Sequence, residues 1–320
     1  MASLAHCGVT YLVKKSKSMS HCDVTYTKIR RCINIPDSIN TKENKLVLPD
    51  TIQRFVKVPK EIILENTLTE HRISTYLYLN YNQTWDKMVH YSPIYMIHWC
   101  GYVPNWNRHK DRVNIYDKFL NCMQWYFENG YIIDFDRNKY SQSTFQSSLL
   151  NEDKFKPSNN FGVIYDFEVE VINNYQSSYK PLNKSILFLL LSYIRAFTWK
   201  RTNEISGHSE KSKKDKPEIF YSQFTTMATF IGVNRKMIAK ATTVLEELGL
   251  IKTHRMPRYK DSNDNWHTDD IIYICPYKYE SYRGQIYRCS KEEYNYVDEL
   301  NYGIMYLREQ KYISKKFYQD

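Results

Sequence analysis

The sequence lacks the features that mark secreted, membrane-spanning and ATP-hydrolysing proteins. Its 7 cysteines are odd in number and show no paired spacing, which favours a reducing compartment over a disulfide framework. The apolar run from Ile186 to Leu191 is far too short to cross a bilayer, and no N-terminal signal segment is visible. There is no Gly-x-x-x-x-Gly-Lys-Ser/Thr loop for a nucleotide phosphate. We therefore expect a soluble, cytoplasmic protein with no membrane partner and no built-in ATPase or helicase.

Negative charge is also scarce relative to positive charge. The chain has 45 Lys and Arg against 35 Asp and Glu, a net charge of +10 with a pI near 9.0. Such a surplus favours a polyanionic partner, most simply nucleic acid. Hydrophobic residues make up 42% of the sequence, which is enough for packed cores. The length of 320 residues leaves room for two domains of ordinary size.

The segment from Ser222 to Ile274 has the pattern of a helix-turn-helix followed by a β wing. Ser222 suits the N-cap of a first helix, Gly232 permits the turn that ends it, and Gly249 ends a second helix. A strand then begins at Leu250, so the segment predicts a winged-helix domain. The apolar positions at helical spacing are Met227, Ala228 and Ile231 in the first helix and Val233, Ile238, Ala241, Leu245 and Leu248 in the second.

The opposite side of that second helix is basic and polar, Thr242 included, and would enter a major groove. Residues near the start of a recognition helix and on the wing are where a winged helix meets bases and phosphates. The alternative is an ordinary helical pair with a solvated basic face. The predicted DNA contacts are Asn234, Arg235, Lys236, Lys240 and Thr243 on the helix, and Arg255, Arg258 and Lys260 on the wing.

The same plan occurs once earlier in the chain, in degraded form. Ser92 and Pro93 begin a helix that Gly101 closes, and a second helix stops at Gly130. An apolar helix precedes each copy, over residues 69–82 and 182–199. The sequence therefore predicts a mainly α fold with small β wings (α+β), made of two tandem winged helix-turn-helix domains. The longer turn of the first copy supplies further predicted DNA contacts, namely Arg108, His109, Lys110, Arg112 and Asn114.

Domain boundaries follow from these two copies. The C-terminal part is aromatic and charged, with a helix predicted over residues 291–311 that could pack on the second domain or pair with another copy to form a homodimer. Strands are predicted at 131–135 and 163–172 in the first domain, around a polar loop. The predicted units are a basic leader (1–55), a first winged-helix domain (56–175), a second one (176–280) and a C-terminal helical extension (281–320).

Metal and recombinase chemistry are weakly indicated. The segment from His109 to Arg112 matches the His-x-x-Arg element of tyrosine recombinases, but nothing else of that catalytic domain is visible. We interpret it as a basic DNA-contact turn. A repeated Val-Thr-Tyr strand explains the leader better than zinc does, because its metal-ligand residue types lack paired spacing. These residues are His6, Cys7, His21, Cys22 and Cys32.

Acidic residues in the first domain form the remaining candidate for catalysis. A metal-dependent phosphodiesterase could use such a set, but alternating acids on the solvent face of a strand are far commoner. We therefore expect no enzymatic activity, no metal and no cofactor. The acids are Asp134, Asp136, Asp166, Glu168 and Glu170.

A family resemblance rests on the order of these elements. The run from Phe55 to Lys60 (Phe-Val-Lys-Val-Pro-Lys), a Ser-capped helix and a helix ending Asn-Gly-Tyr-Ile resemble the N-terminal domain of replication initiators from plasmids of low-GC Gram-positive bacteria. The second copy, from Pro181 to Ile251, is similar to the same domain and to phage replisome organisers. The resemblance implies binding to repeated origin sites and recruitment of the host helicase or its loader.

These patterns predict a non-enzymatic, sequence-specific double-stranded DNA-binding protein of a plasmid or phage. Initiation of DNA replication is the first expectation. A transcriptional regulator of the same element is the alternative within this class. From a different class, the winged helices could hold proteins instead of DNA, as in a phage protein that masks a host factor.

Overall fold

A computed structural model of the chain shows a mixed α/β fold, with about 48% helix and 21% strand arranged in small sheets. The prediction of helices accompanied by small sheets is thus confirmed at this level. No helix within the described ranges is long and apolar enough to cross a membrane. The structure describes residues 39–40, 45–102, 115–139, 145–157, 160–175, 183–198, 217–257, 259–260, 266–267 and 270–308.

The first half of the chain contains a unit with the order helix, strand, two helices, two strands, which we call the first module. Its strands form an antiparallel sheet with the last strand in the middle. The Ser92 side chain accepts a hydrogen bond from the Tyr95 amide at 3.2 Å, as expected of an N-cap. The elements are α2 (Arg72–Tyr81), β5 (Met88–Tyr91), α3 (Pro93–Trp99), α4 (Ile115–Glu128), β6 (Ile132–Ile133) and β7 (Gln146–Leu150).

The same order recurs in the second half, which we call the second module, again with its last strand central in the sheet. Ser222 does not cap the first helix of its pair: it ends the preceding strand, and Gln223 occupies the N-cap. Gly232 ends that helix with a left-handed φ of 67°, as predicted. The elements are α7 (Lys184–Phe197), β9 (Phe220–Ser222), α8 (Phe224–Ile231), α9 (Arg235–Glu247), β10 (Lys252–Arg255), the short pair β11 (Tyr259–Lys260) and β12 (Trp266–His267), and β13 (Ile271–Ile274).

Short elements surround the two modules. They are β1 (Ile39–Asn40), β2 (Lys45–Leu46), β3 (Thr51–Ile52), β4 (Phe55–Pro59), α1 (Lys60–Ile63), a 3-10 turn (Arg137–Lys139), α5 (Glu152–Phe155), β8 (Phe161–Tyr165), α6 (Asp166–Asn174), β14 (Tyr279–Tyr282), β15 (Gln285–Arg288) and α10 (Tyr296–Leu307). Strand β4 pairs with β8, and β3 pairs with β15, so segments distant in sequence are joined.

The predicted strand over residues 163–172 is wrong beyond Tyr165. A helix starts at Asp166, and the Glu168 side chain accepts a hydrogen bond from the Tyr165 amide at 2.9 Å. Carboxylates in the first turn of a helix satisfy its free amides and complement its dipole. Three of the predicted strand acids, Asp166, Glu168 and Glu170, therefore lie in a helix.

One hydrophobic core runs through both modules, with α7 at its centre. The segment from Ile186 to Leu191 is almost completely buried and packs against elements from both halves of the chain, including α2, β8 and α9. The continuous core crosses the predicted boundary at 175/176, so that boundary between separate domains stays a prediction.

A smaller apolar cluster lies on the outer face of the second module's sheet. There, α10 packs against β13, with Leu307 beside Ile272 and Ile274. The helix predicted over residues 291–311 is thus found at Tyr296–Leu307, and it covers the sheet of the second module.

Candidate nucleic-acid interface

Helix α9 presents a basic face to solvent. Arg235, Lys236 and Lys240 are exposed, as is Thr243. The inner side of the helix is fully buried at Ile238, Ala241 and Leu245, as the apolar spacing predicted. The exposed residues fall at intervals of one, four and three, which places them on one face over just over two helical turns. The face is therefore continuous.

Two residues of this helix have structural roles of their own. The Asn234 side chain caps the helix by accepting a hydrogen bond from the Lys236 amide at 2.8 Å, which fixes where the basic face begins. Thr242 does not lie on the outer side as predicted. It is buried, and its hydroxyl donates to the Ile238 carbonyl at 2.9 Å. The reason is geometric, because Thr242 lies four residues after Ile238 and three before Leu245 and so shares their buried face.

Two cations of α9, Arg235 and Lys236, lie in its first turn, where positive charge costs stability. A helix N-terminus carries a partial positive charge, so nearby cations are unfavourable there by about 0.3–1 kcal/mol each. Arg235, Lys236 and Lys240 form no ion pair with any carboxylate in the described part of the chain. Residues that lower stability, with no ion pair to offset the loss, are often found at functional sites.

The acids of α9 lie at its far end. The Glu246 carboxylate accepts hydrogen bonds from the amide and hydroxyl of Thr253, at 2.9 Å and 2.7 Å. It therefore ties the helix to strand β10 and does not neutralise the basic face. This arrangement keeps the first half of α9 positive.

The turn before α9 is held by the first module. The Arg72 guanidinium is buried, and it donates to the carbonyl of Ile231, the last residue of α8, at 2.8 Å. It also donates to the Ile62 and Ile63 carbonyls, both at 2.9 Å. A Cβ on Gly232 would lie 2.9 Å from Asn66 Cβ, so this turn requires glycine for space as well as for its φ. No sequence pattern had indicated this role for Arg72.

Strand β10 of the second module carries a further cation. Arg255 at the end of β10 is exposed, and its guanidinium carbon lies 6.0 Å from the centroid of the Phe224 ring on α8. The backbone of Lys260 lies in β11, opposite Trp266. Arg258 lies outside the described residues. Of the predicted wing contacts, Arg255 is therefore placed beside the helix pair.

The corresponding helix of the first module, α4, differs in charge. Its single cation, Lys118, donates to the Glu70 carboxylate at 2.9 Å, while Phe127 and Glu128 are exposed. Its described surface is therefore a poor match for a phosphate backbone. The predicted contacts of this copy, Arg108, His109, Lys110, Arg112 and Asn114, lie outside the described residues and stay a prediction.

Of the acidic residues predicted to alternate on a strand, Glu168 is engaged in a buried ion pair. Glu168 is fully buried, and both its oxygens accept from the Arg195 guanidinium, at 2.6 Å and 2.5 Å. The Tyr277 hydroxyl donates to the same carboxylate. Burial opposes the charge of Arg195, but Glu168 outweighs it and raises the pKa of the guanidinium. This ion pair joins α6 to α7, and sequence analysis missed it because its partners are far apart.

Metal-ligating residues do not cluster: across the described ranges, no group of three or more His, Cys, Asp or Glu could hold a metal ion. A cavity of about 380 Å³ behind the first module is lined by Lys57, Lys87 and Lys156. Two of these lysines already pair with Glu152, at 3.2 Å and 2.5 Å. Glu152, which also lines the cavity, therefore neutralises part of its positive charge.

A serine, a histidine and a glutamate meet where α2 and α7 begin. The Ser185 hydroxyl lies 2.9 Å from His71 Nδ1, and His71 Nε2 lies 3.7 Å from a Glu70 oxygen. Ser185, His71 and Glu70 are thus arranged in the order of a nucleophile, a base and an acid that orients the base. However, Ser185 and His71 are buried, and the serine hydroxyl also bonds to Ser74 and Tyr102, each at 2.7 Å. The group is a buried network that joins the two modules.

This network makes stability depend on pH. Burial lowers the pKa of His71 to about 4 from its usual 6.5, although Glu70 acts in the opposite direction. The folded protein thus keeps His71 neutral where the unfolded chain already binds a proton, so stability is lost as pH falls from 6.5 towards 4. We expect this loss to reach about 3 kcal/mol, and urea unfolding at pH 7 and pH 4.5 measures most of it. His71→Gln should reduce the pH dependence; parallel losses in the two proteins would contradict the assignment.

No protein-family model matches this chain, and neither does any curated protein sequence. The resemblance to plasmid and phage initiators therefore stays a prediction from the order of sequence elements. What the protein does has to be inferred from the surfaces described above.

Proposed function

We propose that this chain is a sequence-specific double-stranded DNA-binding protein made of two tandem winged helix-turn-helix domains. Two observations support the fold: each module has the order helix, strand, helix, helix, strand, strand, and in each the last strand is central in the sheet. A helix-turn-helix places its second helix in the major groove and its wing over the adjacent backbone. In the second module these elements are α9 and the β10–β13 wing.

The observation that carries the proposal is the exposed basic face at the start of α9. Arg235 and Lys236 stand in the first turn, where a recognition helix meets base edges, and Lys240 lies one turn further on. Arginine and lysine donate to guanine O6 and N7, and lysine also binds phosphate as a point charge. Thr243 and Asn234 add polar groups at the two ends of this face.

The biological role that we propose is initiation of replication for a plasmid or phage, by binding repeated sites at an origin. The sequence resemblance supports it, and it would bring the host helicase or its loader to the bound DNA. A transcriptional regulator of the same element would use the same surface. The neighbouring DNA separates the two, because iterated repeats suit an initiator and a promoter palindrome suits a regulator.

The proposal is tested by titrating the full chain into a labelled random-sequence duplex at several salt concentrations. Log affinity should fall linearly with log salt, by about 0.9 per phosphate contacted. Lys240→Gln should make that slope shallower by about one unit if Lys240 meets a phosphate. Lys291→Gln, a matched change at an exposed lysine before α10, should leave the slope unchanged. Absence of binding at low salt would overturn the proposal.

A further inference from the structure

The two modules share one topology but differ on the outer face of the sheet. In the second module, α10 covers that face. In the first module, Leu149 on the central strand pairs with Met88 on one side and Ile133 on the other, forming an apolar row across all three strands. Leu149 is 38% exposed and Ile133 is 46% exposed. We call this row the open face.

A tryptophan stands beside the open face. Trp85 is 92% exposed, in the turn that leads into β5, shortly before Met88 begins the strand. The turn is closed by the Thr84 amide, which donates to the Met88 carbonyl at 2.7 Å. Tryptophan is enriched among the residues that dominate protein interfaces.

Exposed acidic residues flank the outer two residues of the open face in sequence. Asp86 precedes Met88, and Asp134 follows Ile133. A hydrogen bond from Thr84 lowers the pKa of Asp86, so this group stays ionised. The nearby Lys87 is engaged by Glu152 at 3.2 Å. The open face thus combines an apolar centre with flanking acidic residues, which suits cations flanking an apolar surface and repels a phosphate backbone.

We propose that the open face is the docking site for an amphipathic helix of a partner protein, with an apolar stripe and flanking Lys or Arg residues. The second module shows how such a helix fits: Leu300, Ile304 and Leu307 of α10, spaced by four and three, form one stripe against the sheet. A partner helix would lay a similar stripe on Met88, Leu149 and Ile133, and its cations would meet Asp86 and Asp134. This interaction is independent of DNA binding through α9.

Synthetic peptides test the chemistry directly. The probe is a labelled helix of about 18 residues, roughly five turns, with Leu and Ile at the spacing of the α10 stripe and Lys at both ends. One comparison peptide has the same residues in shuffled order, which removes the stripe, and another has Glu in place of Lys. Fluorescence anisotropy with the full chain measures each affinity. The Lys peptide should bind at least about tenfold more tightly than either comparison peptide.

Variants of the protein locate the site. Leu149→Lys and, separately, Asp134→Asn should each weaken binding of the Lys peptide several-fold. Asn tolerates the left-handed backbone at position 134, where φ is 68°, so the second variant tests charge without strain. Met305→Lys, an equivalent change at an exposed apolar residue of α10, is the control and should bind like wild type.

Preference for the Lys peptide, with binding weakened several-fold in Leu149→Lys and kept in Met305→Lys, supports the docking site. Absence of binding, equal binding of the shuffled peptide, or insensitivity to both open-face variants overturns it. Duplex DNA binding by the same variants should equal that of wild type, so a failure of this proposal is distinguishable from a failure of DNA binding.

Discussion

Replacing Arg195 with Met is expected to lower the free energy of unfolding by about 3–5 kcal/mol, because it leaves the buried Glu168 carboxylate unpaired. Glu168 is fully buried and Arg195 nearly so. The guanidinium also donates to the Val163 carbonyl at 2.7 Å, so the substitution strands a backbone acceptor as well. Urea unfolding followed by circular dichroism measures the loss.

Two controls separate this effect from a general loss of packing. The double variant Arg195→Met with Glu168→Leu removes both charges and should recover much of the lost stability, since apolar replacements of a buried pair are often neutral or stabilising. Lys156→Met breaks an exposed pair with Glu152 and should lower stability far less, because solvent screens such pairs. If Arg195→Met costs no more than Lys156→Met, the buried pair does not have the structural role assigned to it.

The second large effect is on DNA binding. The double variant Arg235→Ala, Lys236→Ala should weaken binding to a preferred duplex by about 1–3 kcal/mol for each base that the replaced side chain recognises. Both side chains are exposed, so folding should not suffer. Removing cations from a helix N-terminus should instead raise stability, by up to about 1 kcal/mol for each charge. Reduced affinity with unchanged or higher stability is therefore the expected result.

Competition binding and thermal unfolding measure the two quantities on the same preparation. The matched control is Arg283→Ala, Lys291→Ala, which removes one Arg and one Lys from exposed positions away from α9. This control should retain wild-type affinity. Equal reductions of affinity in the two double variants would mean that only overall charge matters and that α9 has no special role.

Local sequence pattern predicted much of the second module. The periodic apolar residues of α9 are the buried ones, and Gly232 and Gly249 both adopt the positive φ that helix ends require. These features depend on residues a few positions apart, which is the range over which periodicity and capping act. The exposed positions of Arg235, Lys236 and Lys240 follow from the same pattern.

Features that depend on distant residues could not be predicted in this way. Arg72 and Ile231 are 159 positions apart, and Glu168 and Arg195 are 27 apart with a helix boundary between them. Ser222 was predicted to be an N-cap because of its hydroxyl, but it lies in β9, where it pairs with Ile271 of β13. The prediction of a strand over 163–172 was wrong beyond Tyr165. There the contacts of Glu168 with distant residues favour a helix, although the alternating acidic and apolar residues are typical of a strand.

The measurement that most directly tests the central claim, that α9 reads DNA sequence, is selection of bound duplexes from a random pool. The wild-type chain and the variant Arg235→Ala, Lys236→Ala should be carried through the same rounds, with Arg283→Ala, Lys291→Ala as control. We expect wild type and control to enrich the same sequence, and the α9 variant to lose preference at some positions of it. No enriched sequence with wild type, or an identical one with the α9 variant, would contradict the claim.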